Sequence, residues 1–170
     1  MTPDSEHLIF RQPQPGDLLD LHSCFSDAET ARYWLNGFSN NLKDTDEKLT
    51  LMMGHWTKYG IGDWVLTEKD KNRVIGFCGL HFIKDMKEIN IGYMLHRSKW
   101  GLGYGHESAT AAIRYGFECL ALKQIVAVIQ PGNIPSKRVA EKSGLTFWKE
   151  IQWQGSDRVV YSILAKVSEA

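Results

Sequence analysis

Gly101, Gly103 and Gly105 stand at alternate positions just ahead of a long stretch of helical periodicity. That spacing can do chemistry. With no side chains there, successive backbone amides can converge on one point, and the N-terminus of the following helix adds partial positive charge. The product is a cradle for an anion such as a pyrophosphate, built from oriented dipoles and needing no lysine. Three glycines also suit a tight strand-to-helix turn that binds nothing. Spacing excludes two phosphate motifs. A dinucleotide fingerprint needs G-x-G-x-x-G, and His106 or Ser108 stands where its third glycine would fall. A P-loop needs Gly-Lys-Ser/Thr at its end, which is absent from the loop.

Other reactive residues form no constellation. His22 and Cys24 fall on one short helix without a third partner, so packing is the expected role. His55, His81, His96 and His106 lack the i, i+4 spacing of a helical metal site, and no metal is assigned.

The elements that would position the loop follow from periodicity. Residues 7–11 read as a strand stopped by Pro13 and Pro15, and Asp17 caps a helix with Leu18, Leu21 and Phe25 on one face. Ser26 with Glu29, and Asp44 with Glu47, have capping-box spacing. They predict a short helix through Trp34 and a longer one that stops near Gly60. The stripe of Leu49, Met52, Met53 and Trp56 on the longer helix reads as core. Residues 63–67, 74–82 and 88–96, separated by charged turns, predict an antiparallel meander. Ala109, Ala112, Ile113, Gly116, Phe117 and Leu120 mark an amphipathic helix, residues 124–130 a buried strand and 135–143 a short helix ended by Gly144. Strands 146–153 and 159–164 close as a hairpin around Gly155, Ser156 and Asp157. The expected class is α+β, a mostly antiparallel mixed sheet flanked by helices with one strand-helix-strand crossover. Nothing divides residues 1–170 into two domains.

Composition narrows the partners. Twenty Lys plus Arg balance 20 Asp plus Glu, so the basic excess of a nucleic-acid or anionic-membrane binder is absent. Hydrophobic residues at 43% exclude a disordered chain. The N-terminus lacks the charge and apolar run of a secretory leader, and three widely spaced cysteines, Cys24, Cys78 and Cys119, suit a cytoplasmic protein. The zero charge is a sum over unlike halves. Residues 1–90 hold 10 basic and 14 acidic side chains, and residues 91–170 hold 10 and 6. The acidic half suits a cationic ligand and the basic half an anion.

Residues 88–148 resemble the acyl-CoA-binding core of the GNAT acetyltransferases, in particular the RimJ/RimL-type branch of N-terminal acetyltransferases. The matching residues are Ile91-Gly92-Tyr93-Met94-Leu95, then Trp100-Gly101-Leu102-Gly103-Tyr104-Gly105 with Glu107-Ser108-Ala109, then Asn133-Ile134-Pro135-Ser136 and Glu141-Lys142-Ser143-Gly144-Leu145. The resemblance implies that amides of residues 101–106, including Leu102 and His106, hold the pyrophosphate of acetyl-CoA. It implies that the backbone of Met94, Leu95 and His96 pairs with the pantetheine arm, and that Asn133 hydrogen-bonds the same arm. Trp100 stands where relatives carry a Gln or Arg.

Catalytic roles are implied in the same way. Ala140 occupies the place of the tyrosine that many relatives use as acid, and Ser136 is the candidate that assists thiolate departure. Where relatives place a glutamate base, this chain has Asn90, with Glu88 two residues earlier. Asn90 would then hold a water through which Glu88 takes the proton, although Glu88 equally suits the solvated end of a charged turn. Tyr33, Trp34, Trp64 and Phe82 are candidates for lining the acceptor pocket. The implied activity is transfer of acetyl from acetyl-CoA to a primary amine, on a small molecule or a peptide N-terminus, by direct transfer in a ternary complex. The alternative is an acyl-CoA-binding sensor or scaffold that has lost turnover. No nucleic acid, membrane or metal is expected, and the chain is expected to act as a monomer or homodimer. An α-amine of pKa near 8 costs about 1.4 kcal/mol to neutralise at pH 7 and a lysine about 4.6, which favours the former where the base is weak.

Overall fold

The computed structural model describes residues 1–34 and 37–166. Seven strands form one sheet: β1 (Leu8–Arg11), β2 (Asp63–Glu68), β3 (Val74–Phe82), β4 (Ile89–Leu95), β5 (Gln124–Ile129), β6 (Thr146–Trp153) and β7 (Ser156–Leu164), in the spatial order β1-β2-β3-β4-β5-β7-β6. All neighbours are antiparallel except β4 and β5. These two are joined by α4 (Tyr104–Glu118), the crossover that a parallel pair requires. The other helices are α1 (Leu18–Phe25), α2 (Ala28–Ala31), α3 (Leu42–Tyr59) and α5 (Ile134–Lys142).

Strand alternation sorts the side chains onto two faces. On one, Trp64, Leu66, Cys78, Leu80, Ile89, Ile91, Ile125 and Val159 pack with Ala109, Ala112 and Ile113 of α4 and Ala140 of α5. On the other, Val65, Phe77 and Met94 meet Leu21, Cys24 and Phe25 of α1 and Leu49 and Met52 of α3. The α3 stripe is therefore core. Cys24 lies in the same packing, where burial pushes its thiol up to about 11, and His22 is occupied with Thr45, 2.8 Å away.

A bulge in β3 decides how β4 is held. Leu66 and Thr67 of β2 pair with Gly76 and Val74, skipping Ile75. Gly76 has φ +150, and a Cβ there would lie 2.1 Å from Met94 O and 2.8 Å from Leu95 Cα. Only glycine lets β4 approach so closely.

Helix caps differ from the spacing. Asp27, not Ser26, caps α2 by accepting from Thr30 N at 2.8 Å, while Ser26 Oγ donates to His22 O at the end of α1. Thus α2 ends at Ala31, short of Trp34. Asn41 caps α3 by accepting from Asp44 N, and Asp44 accepts from Asn40 N instead of capping. Asp17 lies in a 3-10 turn (Pro15–Asp17), where its carboxylate pairs with Arg11 and accepts from Gln14 N at 2.8 Å. The last hairpin turns on Gln154 and Gly155, both at positive φ, in a two-residue type I′ turn. β7 consequently starts at Ser156 and places Arg158 in the strand opposite Ile151.

Candidate functional site

The glycine loop leaves β4 through a 3-10 turn (Arg97–Lys99) and enters α4 with Gly103 as N-cap. Gly101 at φ +76 and Gly103 at φ +82 occupy the left-handed region, which side chains rarely adopt. Gly103 offers no side-chain cap, and the helical ladder starts with Glu107 N donating to Gly103 O. The first-turn amides of Tyr104, Gly105 and His106 therefore point out of the helix end without intrahelical partners. They open into a cleft of about 560 Å³, whose wall also includes Met94, Leu95, Trp100, Asn133 and Ser136.

Two residues expected at the cleft do not line it. Leu102 is 57% exposed at the loop tip, and His96 caps the 3-10 turn with Nδ1 2.8 Å from Ser98 Oγ. Glu68 holds the loop in place, accepting from Lys99 Nζ at 2.8 Å, Lys71 Nζ at 3.1 Å and Tyr104 Oη at 3.1 Å. Lys99, followed by Lys71 and Tyr104, outweighs desolvation and brings the carboxyl down to about 2. Lys99 is thus paired within the fold, and the positive character of the cleft comes from the loop amides together with Arg32, Arg138 and Lys142, which also line it.

The inner edge of the cleft is β4. It pairs with β5 only through Ile89 with Ile125 and Asn90 with Val126, and the strands separate beyond that point. His96 N donates to Ile75 O at 2.9 Å, on the β3 side. In a planar trans peptide the carbonyl points the opposite way, so Leu95 O faces the open edge. There Trp100 Nε1 donates to it at 2.8 Å. Of the three backbone residues expected to pair with the pantetheine arm, Leu95 is the one whose amide groups face the cleft, and its carbonyl already carries the indole.

Between the separated strands, Tyr93 Oη donates to Ser136 Oγ at 3.2 Å, and Asn133 Oδ1 caps α5 by accepting from Ser136 N at 3.2 Å. Burial pushes the Tyr93 phenol up to about 12, so it stays protonated. Ser136 Oγ accepts from Tyr93 and keeps its own proton to donate. The capping contact uses Oδ1 and leaves the NH₂ available on a residue that lines both cavities.

A second cavity, of about 330 Å³, adjoins the cleft. Tyr33, Trp34, Tyr93, Asn133 and Ser136 line both. Trp34 packs edge-on against Phe77, and Phe82 is on the rim at 44% exposed. Trp64 belongs to neither cavity. Strand alternation turns it away from its neighbour Asp63 into the opposite core, where it is 1% exposed against Phe10, Trp56 and Tyr115.

Sequence spacing missed the polar chain in this cavity. His81 Nδ1 lies 3.1 Å from Asp63 Oδ1, and His81 Nε2 lies 3.1 Å from Asn90 Nδ2. Asn90 Oδ1 accepts from Val128 N at 3.0 Å, which fixes the orientation of the amide. Asn90 must then donate to His81 Nε2, and the imidazole making that contact is neutral with its proton on Nδ1 toward Asp63. Burial opposes a charge on His81, but attraction and hydrogen bonding from Asp63 raise its pKa above the usual value. Asn90 favours the neutral form, and while its amide donates to Nε2 the one lone pair of that nitrogen is occupied. Beneath lies Gly92, where an added methyl would meet His81 Cε1 at 3.0 Å and Trp34 at 3.4 Å.

Glu88 falls in a bend before β4 and lines neither cavity, so the expected relay from Asn90 to Glu88 has no geometric basis. Both polar ends of Asn90 are committed to Val128 and His81. The expectation of an acidic acceptor side also needs correction. Among the described residues the charged side chains lining the second cavity are Lys48, Lys84 and Arg158 with Asp63 and the histidines, and Asp63 is engaged with His81.

Comparison with known proteins gives these features a context. The family profile described as acetyltransferase (GNAT) domain matches residues 7–146. The uncharacterized protein YkkB of Bacillus subtilis is 32% identical over 156 residues, covering 91% of this chain and 81% of that protein. A GNAT-family acetyltransferase crystal structure from Bacillus anthracis superposes with a TM-score of 0.83 at 26% identity, covering 96% of this chain and 98% of the other. The structure of RimL, a ribosomal L7/L12 alpha-N-protein acetyltransferase in complex with coenzyme A, shares the fold with a TM-score of 0.77 at 18% identity, covering 96% and 97%.

Proposed function

The chain belongs to the GNAT family of N-acetyltransferases, and we propose that it moves acetyl from acetyl-CoA to a primary amine by direct transfer in a ternary complex. The observation that carries this reading is the junction of two cavities at Tyr33, Trp34, Tyr93, Asn133 and Ser136. A thioester in the cleft and an amine in the second cavity would meet there. Amides of residues 104–106 suit a pyrophosphate, and the edge of β4 at Leu95 with the NH₂ of Asn133 suits an amide-containing arm. Acetyl-CoA supplies the activated acetyl group. The protein supplies position and two protons' worth of acid-base work.

His81, backed by Asp63, takes the proton of the attacking amine at Nε2 once the amine has displaced the Asn90 amide from that nitrogen; until then Asn90 holds the imidazole in the tautomer protonated on Nδ1. Ser136, backed by Tyr93, donates a hydrogen bond to the departing thiolate as the C–S bond breaks and the C–N bond forms, and the proton that His81 took from the amine returns through solvent to the sulfur, so that CoA leaves as the thiol. Because a thiolate of conjugate-acid pKa about 8.5 leaves readily, the acid contributes less than the base. Ser136→Ala is expected to lower kcat by roughly 10- to 100-fold, at or below the low end of general acid catalysis, with acetyl-CoA affinity retained. Tyr93→Phe is expected to cost less. Thiol release over peptide α-amines, lysine peptides, amino acids and amino sugars measures both. Unchanged turnover in Ser136→Ala would remove Ser136 as the acid, while tight acetyl-CoA binding without release on any amine would identify a sensor.

A further inference from the structure

Arg158 is 8% exposed, yet its guanidinium has no carboxylate within 4.0 Å among the described residues. Nη1 donates to Asp157 O at 2.7 Å, and the buried Nε has no hydrogen-bond partner. The neighbouring carboxylate is not aimed at it, since Asp157 Oδ1 accepts from Gln152 Nε2. The ring of Trp153 lies 5.9 Å away and offers a cation only its face. A buried charge left this way costs free energy that folding alone does not recover.

Its place in the sheet says what it faces. Val159 and Tyr161 enter the core under α4, so Arg158, one residue before, projects to the other face, as Asn90 does on β4. Arg158 lines the same cavity as His81, and Lys84 from the β3-β4 connection lines it too. Lys48 also reaches this wall but donates to Ser39 Oγ at 2.9 Å. Besides the His81–Asp63 pair, the wall of this cavity thus carries the unpaired guanidinium of Arg158 and the side chain of Lys84.

We infer that the acceptor amine carries an anionic group, a carboxylate or a phosphate, which Arg158 receives with Lys84 beside it while the amine lies at His81. This rests on the acetyl-transfer reading. The anion completes the hydrogen bonding of the guanidinium and fixes the distance between the acceptor's two charged ends, which selects the substrate class.

The test is thiol release on matched pairs: amino acids against their carboxamides, and amino-sugar phosphates against the parent amino sugars. The anionic member of one pair is expected to be strongly preferred, and the responding pair distinguishes carboxylate from phosphate. In Arg158→Met the KM of that acceptor is expected to rise roughly 10- to 100-fold, the range for a charged hydrogen bond, with the KM values for neutral amines and acetyl-CoA unmoved. Arg158→Lys is expected to recover part of the loss. Equal use of both members, or an equal effect of Arg158→Met on both, overturns the inference.

If no amine is acetylated, the acetyl-transfer reading fails and titration calorimetry decides the anion site separately. Phosphate and acetate are titrated into protein saturated with CoA, so that the glycine cradle is already filled. Binding lost in Arg158→Met sustains the site, and absence of binding overturns it. Removal of an uncompensated buried charge is also expected to raise the melting temperature in anion-free buffer. A lower one would show that the guanidinium is satisfied by the fold, against the inference.

Discussion

Replacement of His81 by glutamine lowers kcat/KM for the acceptor by roughly two to four orders of magnitude at neutral pH, the range for loss of a positioned general base. Glutamine can hydrogen-bond to Asp63 and Asn90 but cannot take a proton. Acetyl-CoA binding is expected to be unchanged, because His81 does not line the cleft into which the glycine loop opens. The deficit should shrink as pH approaches the pKa of the amine, about 8 for an α-amine, since solvent then removes the proton. A variant as active as the parent at pH 7 would assign the proton to another group.

The pH profile tests the partner as well. Burial pushes His81 toward the neutral form and Asp63 pushes it more strongly toward the charged one. The base is active only when neutral, so the acidic limb of kcat/KM is expected above the ordinary histidine value of about 6.5. Asp63→Asn removes the opposing charge and leaves burial, so the limb moves to lower pH. The stability term has the matching sign. The His81–Asp63 pair stabilises the fold fully below the unfolded pKa of histidine, and the contribution disappears as pH rises through the higher folded value.

Gly76→Ala is expected to have the largest effect on stability. A methyl group 2.1 Å from Met94 O cannot be accommodated by a side-chain rotation, because the obstruction is the neighbouring backbone. β4 must shift toward the cleft or lose its pairing with β3. The expected cost is about 3 kcal/mol, at the upper end for overpacking. For a chain of this size that lowers the melting temperature by roughly 6–12 °C. Acetyl-CoA affinity should fall as well, since Met94 and Leu95 form the cleft wall. Gly16→Ala is the control: a Cβ there meets nothing within 4 Å, and thermal denaturation should scarcely change.

The glycine loop, its helix and the strand ahead of it were legible because one segment carries all three. The acid-base chain was not. Asp63 and His81 are 18 residues apart and meet because Asp63 pairs with Gly79 across β2 and β3, a register that neither strand states alone. The place of Trp64 is illegible for a related reason: aromatic type does not specify a face, and alternation from Asp63 sends it into the opposite core. The caps at Asp27 and Asn41 show two acceptor residues competing for one helix start, a choice settled by packing. Arg158 was hidden by the hairpin. Ser156 and Asp157 have turn-like composition, and a turn extended over them leaves Arg158 before the strand, whereas the two-residue turn puts it inside with a defined direction.

Trp100 gives the cleft an optical consequence. Its indole N–H rests on Leu95 O, the edge carbonyl that an incoming amide ligand would seek, and the residue is about half exposed. On the proposed reading, a cosubstrate entering along that edge would replace the indole contact and change its surroundings. The emission of Trp100 should therefore report occupancy before any acetyl group moves, with Trp100→Phe removing that part of the signal. A rapid-mixing fluorescence trace could then separate the rate of filling from the rate of chemistry.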